Sequence, residues 1–306
     1  MAYKHKKVRD GDVMEVGFVG AGRMGLAMLR NVVAAGHGVH VFDLSEAAVA
    51  QAVESGATAA ASAADAFRGD VVVSMLPNDR AMRAVFLDSG MLASASSSLV
   101  HVNMATASVA CAADLAAAHA AHDIAYVSAP VFGRPEMAAR RELNVMAAGP
   151  AAAIDRAQPL FDALAKKTWR LGDDPANANV TKIAGNLIVA CVIESLGEAA
   201  ALARAYEMPP GDLLGVVVGS LFDVPIFRIY ADLVASERFE PAGFDLRLGL
   251  KDTQLALAAG EAANLPLPFA SVLRDNYLDA LAHGAERKDW SAVTQVATRR
   301  AALATG

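Results

Sequence analysis

The sequence has few charged and aromatic residues, and very few cysteines. Charged residues make up 20% of its 306 positions, aromatic residues 6%, and the two cysteines are Cys111 and Cys191. Both lie in apolar helical segments, so no disulfide framework is implied, which favours a reducing, cytoplasmic location. The net charge of −6 argues against a nucleic-acid-binding surface.

Uncharged hydrophobic runs long enough to span a membrane are also lacking. The longest apolar stretch, Ile183 to Ala205, carries Asn186, Glu194, Glu198 and Arg204. A membrane span does not tolerate that polar load, so the sequence predicts a soluble protein. The seven histidines show no metal-ligand spacing with acidic or cysteine partners, and no metal is expected.

Apolar residues are abundant, at 55%, and in the first half of the chain they form an alternating pattern. Predicted strands are Glu15-Val19, Val39-Asp43, Val71-Leu76, Leu99-Asn103, Ile124-Val127, Leu143-Ala147 and Thr168-Leu171. Predicted helices between them are Met24-Ala35, Glu46-Ser55, Asp79-Leu87, Val109-Ala121 and Ala151-Ala165. This alternation predicts an α/β domain with a doubly wound, mainly parallel sheet covered on both faces.

The pattern changes after Gly172-Asp173-Asp174-Pro175, beyond which only helices are predicted. They are Asn179-Tyr206, Gly211-Leu221, Ile226-Ala235, Leu246-Ala263, Phe269-His283 and Trp290-Leu303. We therefore expect a flexible basic tail over residues 1–12, an α/β domain over 13–176 and an all-α domain over 177–306. The long apolar first helix is expected to join the domains and to pack at a domain or subunit interface.

A glycine-rich turn follows the first predicted strand. It reads Gly20-Ala21-Gly22-Arg23-Met24-Gly25 and opens a helix. In this setting Gly20 permits the tight turn, Gly22 lets the backbone approach a pyrophosphate, and Gly25 lets helix and strand pack closely. The N–H groups at the start of the helix then hold the phosphates. The turn predicts a Rossmann domain that binds a dinucleotide.

Asp43 ends the second predicted strand, 18 residues after Gly25. This is close to the separation of about 20 residues expected for the carboxylate that bonds the ribose hydroxyls. A carboxylate repels a 2′-phosphate, and no arginine or lysine follows in Leu44-Ser45-Glu46, so NAD is favoured over NADP. The alternative is that Asp43 caps the next helix, a role that Ser45 can fill instead.

Four ordered motifs resemble the β-hydroxyacid dehydrogenase family, which includes 3-hydroxyisobutyrate and 6-phosphogluconate dehydrogenases. The first is Gly17-Phe-Val-Gly-Ala-Gly-Arg-Met-Gly25 with Asp43, and the second is Ser128-Ala-Pro-Val-Phe-Gly-Arg134. Lys182-Ile-Ala-Gly-Asn186 resembles the catalytic Lys-x-x-x-Asn, and Leu250-Lys251-Asp252 resembles the Lys-Asp motif that closes over the cofactor. The resemblance implies a site in the cleft between the domains and a homodimer or homotetramer formed through the helical part.

The resemblance assigns proton transfer to Lys182. On a helix Lys182 and Asn186 emerge on one face, a single turn apart. Hydride transfer to a carbonyl builds negative charge on oxygen, and an ammonium can supply the proton as general acid. In the reverse direction the neutral amine takes the proton from the alcohol, while Asn186 holds the lysine and bonds the substrate. The residues alone leave open a surface lysine beside a polar helix residue.

Further cofactor contacts are expected at the carboxyl ends of the strands. Leu76 and Pro77 follow one strand and are implied to lie beside the adenosine half, and Thr106 follows the next, near the nicotinamide. Simple turn chemistry is the alternative for both loops. Lys251 is expected to contact cofactor phosphate or ribose, and Asp252 is expected to be mainly structural.

The substrate loop departs from the family pattern Asp-Ala-Pro-Val-Ser-Gly-Gly. Substrate binding is expected at Ser128, Phe132, Gly133 and Arg134, of which Ser128 replaces the aspartate, Phe132 the serine and Arg134 a glycine. Backbone N–H groups around Gly133, together with Arg134, can form a carboxylate cradle. Alternatively Phe132 lines a pocket for a larger, less polar substrate, and Arg134 pairs with Glu136 or Glu142.

The sequence thus predicts an NAD(P)-dependent oxidoreductase. It would move a hydride between nicotinamide and a small β-hydroxy acid or alcohol and its semialdehyde or ketone. An imine reductase-like enzyme is the enzymatic alternative, against which Lys182 and Asp43 both argue. A dinucleotide-binding scaffold without turnover is the alternative from another class, and the Lys182 and Asn186 pair argues against it.

Overall fold

The computed structural model describes residues 13–303, so the predicted tail over 1–12 lies outside the described residues. The chain divides into two compact units, the first ending at Lys182 and the second beginning at Ile183. The division falls inside a helix of 30 residues, α8 (Ala176–Ala205). Each unit is described in turn.

The first unit contains a six-stranded sheet in which every pairing is parallel. Its strands are β1 (Glu15–Val19), β2 (Gly38–Phe42), β3 (Thr58–Ala59), β4 (Val71–Ser74), β5 (Val100–Asn103) and β6 (Ala125–Ser128). The strand order is β3-β2-β1-β4-β5-β6, so the chain winds outward in opposite directions from β1 and β4. In such sheets ligands bind at the carboxyl ends of the strands beside this switch point.

Both faces of the sheet are buried, as near-continuous runs of valine require. Val71 and Val73 of β4 join one hydrophobic core with Phe18, while Val72 points to the opposite core with Phe86. Strands covered on both sides lack the alternation of polar and apolar residues that a half-exposed strand shows. The α/β class and the parallel sheet are therefore confirmed.

Helices cover these two faces. They are α1 (Arg23–Ala35), α2 (Glu46–Glu54), α3 (Ala63–Ala66), α4 (Asp79–Phe86), α5 (Val109–Ala120), α6 (Pro135–Ala139) and α7 (Ala151–Leu164), with a 3-10 turn at Met91–Ser94. Side-chain caps fix several starts: Ser45, Asn78 and Ser108 each accept a backbone N–H from the first turn.

The prediction of a single sheet is wrong at its end. The strands predicted at Leu143-Ala147 and Thr168-Leu171 form a second sheet as β8 (Leu143–Ala147) and β9 (Ala165–Arg170), with the unpredicted β7 (Val131–Phe132). β7 is antiparallel to β8, and β8 is parallel to β9. A strand of two residues carries no detectable period, so the sequence could not reveal β7 or the separate sheet.

The second unit is built from helices around its own core. They are the rest of α8, α9 (Pro210–Leu221), α10 (Pro225–Ser236), α11 (Leu246–Ala262), α12 (Pro268–Ala282) and α13 (Gln295–Arg300). Ile193, Tyr277 and Trp290 are buried at the centre. Proline occupies the first turn of α9, α10 and α12, where its missing N–H costs no hydrogen bond.

The single helix predicted over Trp290-Leu303 is wrong. The chain forms a 3-10 turn at Trp290–Thr294 before α13, which ends at Arg300. The buried Asp289 carboxylate accepts the N–H and the hydroxyl of Ser291, and its other oxygen accepts the N–H of Phe244. These bonds fix the tighter turn.

By length and composition alone, α8 is long and apolar enough to cross a membrane, the one such helix between residues 13 and 303. Its most apolar window has a mean hydropathy of 1.6 and is 44% buried. Ile193 and Leu196 of α8 belong to the core of the second unit, and a helix buried in a protein core passes the same test of length and composition.

Candidate active site

The glycine-rich turn connects β1 to α1 beside the switch point. Gly20 has a φ of +99°, and a Cβ there would lie 2.6 Å from the carbonyl oxygen of Met75. A Cβ at Gly25 would overlap the carbonyl oxygen of Gly20, whereas one at Gly22 would meet nothing within 4 Å. Gly22 is also the N-cap of α1 and offers no side-chain acceptor to its first turn. The turn therefore has one open side with uncapped helix N–H groups, which fits a dinucleotide pyrophosphate.

Asp43 lies beside this turn. Its Oδ2 accepts the N–H of Ala21 at 2.7 Å, and its Oδ1 accepts the N–H of Ser45 at 2.8 Å. Ser45 caps α2 by accepting the N–H of Ala48, so the alternative in which Asp43 caps that helix does not hold. Each carboxylate oxygen keeps a second lone pair, so Asp43 can brace the turn and still accept ribose hydroxyls.

The two loops after β4 and β5 lie at the same carboxyl edge. Leu76 is half-buried and Pro77 exposed, and Asn78 then caps α4. Thr106 is half-buried between two buried alanines. The cap at Asn78 is the turn chemistry named as the alternative. Both loops nevertheless lie at the edge of the sheet where cofactor contacts are expected.

The substrate loop runs from β6 through β7. Ser128 is only 1% exposed, and its hydroxyl donates to Asn179 Oδ1 at 2.6 Å. Gly133 is exposed with a φ of +145°, and Arg134 is half-buried at the N-cap of α6. Glu142 pairs with Arg140 at 3.0 Å. Ser128 is therefore placed to support the loop from inside, rather than to bond a substrate directly.

Lys182 lies against this loop at the end of the first unit. It is 9% exposed, and its ammonium sits 4.7 Å from the centroid of the Phe132 ring. Phe132 itself packs on a small core that includes Met146 and Ala178. The face of an aromatic ring attracts a cation at this distance, so Phe132 helps to hold the ammonium.

Asn186, four residues further along α8, lies in the second unit with the Lys-Asp motif. Its Nδ2 donates to Asp252 Oδ2 at 2.5 Å, and both side chains are buried. Lys251 Nζ lies 3.2 Å from Asp252 Oδ1. Asp252, which the sequence placed as mainly structural, thus orients both Asn186 and Lys251.

Three further polar residues were not predicted from the sequence. Asn179, Tyr126 and Asn103 are buried and hydrogen-bonded beneath the carboxyl edge. Their partners are 23 residues or more away in the chain, and no local motif marks such pairs. Within residues 13–303, no group of three or more His, Cys, Asp or Glu is placed to hold a metal ion.

The chain matches two protein families over most of its length. Residues 15–173 match the NAD binding domain of 6-phosphogluconate dehydrogenase. Residues 176–297 match the family described as NAD-binding of NADP-dependent 3-hydroxyisobutyrate dehydrogenase.

Individual proteins are similar along nearly their whole length. The oxidoreductase YfjR of Bacillus subtilis (strain 168) is 34% identical, with 92% of this chain and 98% of the relative covered. An NAD-dependent L-serine dehydrogenase of Pseudomonas aeruginosa is 31% identical, covering 92% and 97%. The structure of a Mycobacterium tuberculosis 3-hydroxyisobutyrate dehydrogenase with L-serine has a TM-score of 0.85 at 28% identity, covering 92% and 98%. Imine reductase structures share the fold at TM-scores of 0.61 to 0.64 and 18% to 21% identity.

These matches agree with the glycine turn, the strand order and the ordered motifs. The predicted resemblance and the NAD-binding domain are confirmed. The chain belongs to the β-hydroxyacid dehydrogenase family of NAD-binding oxidoreductases.

Proposed function

We propose that the protein interconverts a short β-hydroxy acid, or a related alcohol, with its aldehyde or ketone, with Lys182 as general acid and base. The observation that carries the proposal is the buried Lys182 ammonium, held 4.7 Å above the Phe132 ring of the substrate loop. A lysine seated inside a strand-edge site is suited to proton transfer, whereas a surface lysine would be solvated.

Bound NAD supplies the chemistry of hydride acceptance, and NADH that of hydride donation. The turn around Gly20, Gly22 and Gly25, including Arg23 and Met24, would hold the pyrophosphate. Leu76, Pro77, Thr106 and Lys251 would contact the rest of the cofactor.

In the oxidative direction neutral Lys182 takes the hydroxyl proton as the substrate carbon gives up its hydride, and the C–O bond becomes C=O. In reduction the ammonium returns that proton to the developing alkoxide. Asn186, oriented by Asp252, donates a hydrogen bond to the substrate.

NAD is the proposed cofactor in preference to NADP, because of Asp43. Its carboxylate is fixed by the N–H groups of Ala21 and Ser45 and cannot turn away from the ribose position. A 2′-phosphate placed there would meet a fixed negative charge.

The surroundings of Lys182 favour substrates with an apolar part. The Phe132 ring gives the Lys182 ammonium an apolar neighbour, and a substrate carboxylate would have to be bound by Arg134 and backbone N–H groups near the exposed Gly133. We therefore place the specificity of the site at Phe132, Gly133 and Arg134. The work of Ser128 is to support the loop.

A substrate panel tests the proposal directly. Short semialdehydes, glyoxylate and cyclic imines are assayed with NADH and NADPH, and 3-hydroxyisobutyrate and L-serine with NAD. We expect turnover of at least one carbonyl or hydroxy acid, with NAD(H) preferred. Turnover of imines alone would point to an imine reductase. Cofactor binding without turnover of any compound would point to the scaffold.

We also propose that the protein is a homodimer or homotetramer and acts in the cytoplasm. The support for assembly is a set of large exposed apolar side chains on the helices of the second unit: Ile188, Leu202, Val216, Leu221, Phe269 and Val272. Sedimentation at micromolar concentration should give at least a dimer, and a monomer would contradict this.

The domain limits 13–176 and 177–306 stay a prediction, which expression of 13–176 as a separate NAD-binding fragment would test.

A further inference from the structure

A buried chain of hydrogen bonds joins three segments of the first unit, and the proposed chemistry does not use it. Asn103 Nδ2 donates to the Tyr126 hydroxyl at 3.0 Å, and Tyr126 lies on β6 two residues before Ser128. Ser128 Oγ donates to Asn179 Oδ1 at 2.6 Å, and Asn179 Nδ2 donates to the carbonyl of Ala107 at 3.2 Å. The chain therefore links β5, β6 and the first turn of α8.

The direction of these bonds is fixed by the groups involved. Asn179 Oδ1 carries no hydrogen, so the Ser128 hydroxyl must donate to it. The Ala107 carbonyl has no proton to give, so Asn179 Nδ2 must donate to it, and the Tyr126 oxygen accepts from Asn103. The two bonds of Asn179 therefore have a single arrangement.

Burial makes this arrangement costly to break. Asn103, Ser128 and Asn179 are each 1% exposed, so water does not replace a lost partner. A buried polar group left without its partner loses more than the net value of an ordinary hydrogen bond. The geometry of the three segments is therefore set together.

Both ends of the chain meet the segment that carries Thr106. The N–H of Ala105 donates to Asn103 Oδ1 at 3.1 Å, and the carbonyl of Ala107 accepts from Asn179. Thr106, the proposed cofactor contact, is thus flanked by two residues that bond to the buried Asn103 and Asn179.

The other connection is to the proton-transfer residue. Asn179 precedes Lys182 by three residues in α8, a little less than one helical turn. A helix whose first turn is pinned at Asn179 cannot rotate or slide without moving Lys182. Ala178 adds an apolar contact in the cluster with Phe132, the ring beneath the Lys182 ammonium.

We propose that Ser128 and Asn179 are positioning residues, which set the height and rotation of α8 so that the Lys182 ammonium is presented at a fixed place relative to the Thr106 segment. This inference rests on the proposed role of Lys182. In this proposal Ser128, at the start of the substrate loop, acts through Asn179 and does not need to contact the substrate.

The test compares Ser128→Ala, Asn179→Ala and the double variant. We expect each single change to lower kcat by about 10-fold to 100-fold, the size of effect that a displacement of about 1 Å produces in a catalytic group. The dissociation constant for NAD should change less than about threefold. Because both changes break one unit, the double variant should be little slower than either single variant.

A second readout does not depend on activity. Amide hydrogen exchange in the first two turns of α8, residues 176–182, should become faster in Ser128→Ala, while exchange in α7 stays unchanged. Ser128→Thr keeps the hydroxyl and should recover most of kcat. If Ser128→Ala does not fold, Ser128→Cys, which keeps the side-chain size but donates weakly, carries the same comparison.

Ser74→Ala is the matched control. Ser74 also ends a strand, is 0% exposed and bonds to His101 at 2.8 Å instead of to α8. It should lose similar thermal stability while kcat stays within about twofold. An unchanged kcat or unchanged exchange in Ser128→Ala, an equal loss of kcat in Ser74→Ala, or multiplying losses in the double variant would overturn the proposal. An inactive Lys182→Met beside a fully active Ser128→Ala would reject this inference alone, while an active Lys182→Met would reject the proposed function.

Discussion

Replacing Gly22 by alanine should weaken cofactor binding, whereas replacing Gly25 by alanine should lower the stability of the fold. The two glycines lie three residues apart in one turn, but their surroundings differ. A Cβ at Gly22 would meet no protein atom within 4 Å, and the Gly22 backbone has a φ of −64°, which alanine adopts readily. A Cβ at Gly25 would overlap the carbonyl oxygen of Gly20 and touch the Phe18 ring.

These contacts set the expected magnitudes. Overpacking at a buried site costs about 1–3 kcal/mol, and alanine's better helix propensity returns at most about 1 kcal/mol. Gly25→Ala should therefore lower the free energy of unfolding by about 1–2 kcal/mol, or Tm by about 2–5 °C. Gly22→Ala should leave stability within about 0.5 kcal/mol, because nothing in the protein opposes the methyl group. Its methyl group should instead stand where the pyrophosphate approaches, and weaken NAD binding at least about tenfold.

Thermal unfolding without ligand and titration calorimetry with NAD measure the two effects on the same samples. Gly36→Ala is unsuitable as a control because its φ is +101°, whereas exposed Gly215 in α9 has no neighbour within 4 Å of a Cβ and should tolerate alanine in both assays. Normal NAD affinity in Gly22→Ala, or wild-type stability in Gly25→Ala, would refute the division of roles.

Three further predictions concern charge and protonation. Asp43→Asn should raise the ratio of kcat/KM for NADP to that for NAD by about tenfold, because a fixed charge facing the 2′-phosphate is removed. Phe132→Leu should move the midpoint of the kcat profile for reduction to lower pH by about 0.5–1 unit, because the ring face stabilises the Lys182 ammonium that we propose as the acid. Burial lowers the pKa of His119 from 6.5 to about 4 and holds that of its neighbour His101 well below 6.5. Below pH 6.5 the unfolded state binds protons that the folded state does not, so stability present above pH 6.5 is lost towards pH 4, and His119→Gln should reduce that loss by about 2–3 kcal/mol.

Each of these has a matched variant. Glu46→Gln removes a neighbouring charge that does not bond the glycine turn, and should leave cofactor preference unchanged. Phe132→Tyr keeps the ring face and should keep the pH midpoint. His122→Gln replaces an exposed histidine that adds only a minor part to the lowering of the His119 pKa, and should alter acid stability far less than His119→Gln. If a control variant showed the same change as its test variant, the physical reason given for the test residue would be wrong.

The sheet could be predicted from the sequence because its strands are buried on both faces. Val71-Val72-Val73 must be covered on both sides, and β1 and β8 occur at the predicted bounds. The paired register of β7, by contrast, depends on Asn144 and Val145, residues more than ten positions away. Whether a strand of two residues forms depends on pairing partners that are distant in the chain, so a local sequence pattern cannot predict it.

The candidate site divides in the same way. Gly20, Asp43 and Lys182 belong to local motifs whose spacing carries the chemistry. Asn179 acts through a partner 51 residues away, and an isolated asparagine in a helix gives no sign of it. Asp252 belongs to the Lys-Asp motif, but the motif does not reveal its bond to Asn186, 66 residues away. Ser128 was found by its motif, but its burial and its bond to Asn179 indicate a role that the motif did not suggest.

Turnover by Lys182→Met, with a hydroxy acid or aldehyde that the wild-type enzyme accepts, tests the proposed role of Lys182 most directly. Stopped-flow absorbance at saturating cofactor separates the hydride-transfer step from release of product. We predict that this step slows by about a thousandfold, within the range for loss of a general acid and base, while the dissociation constant for NAD stays within about twofold. A Lys182→Met enzyme that retains hydride transfer within about tenfold of wild type would contradict the assignment of Lys182.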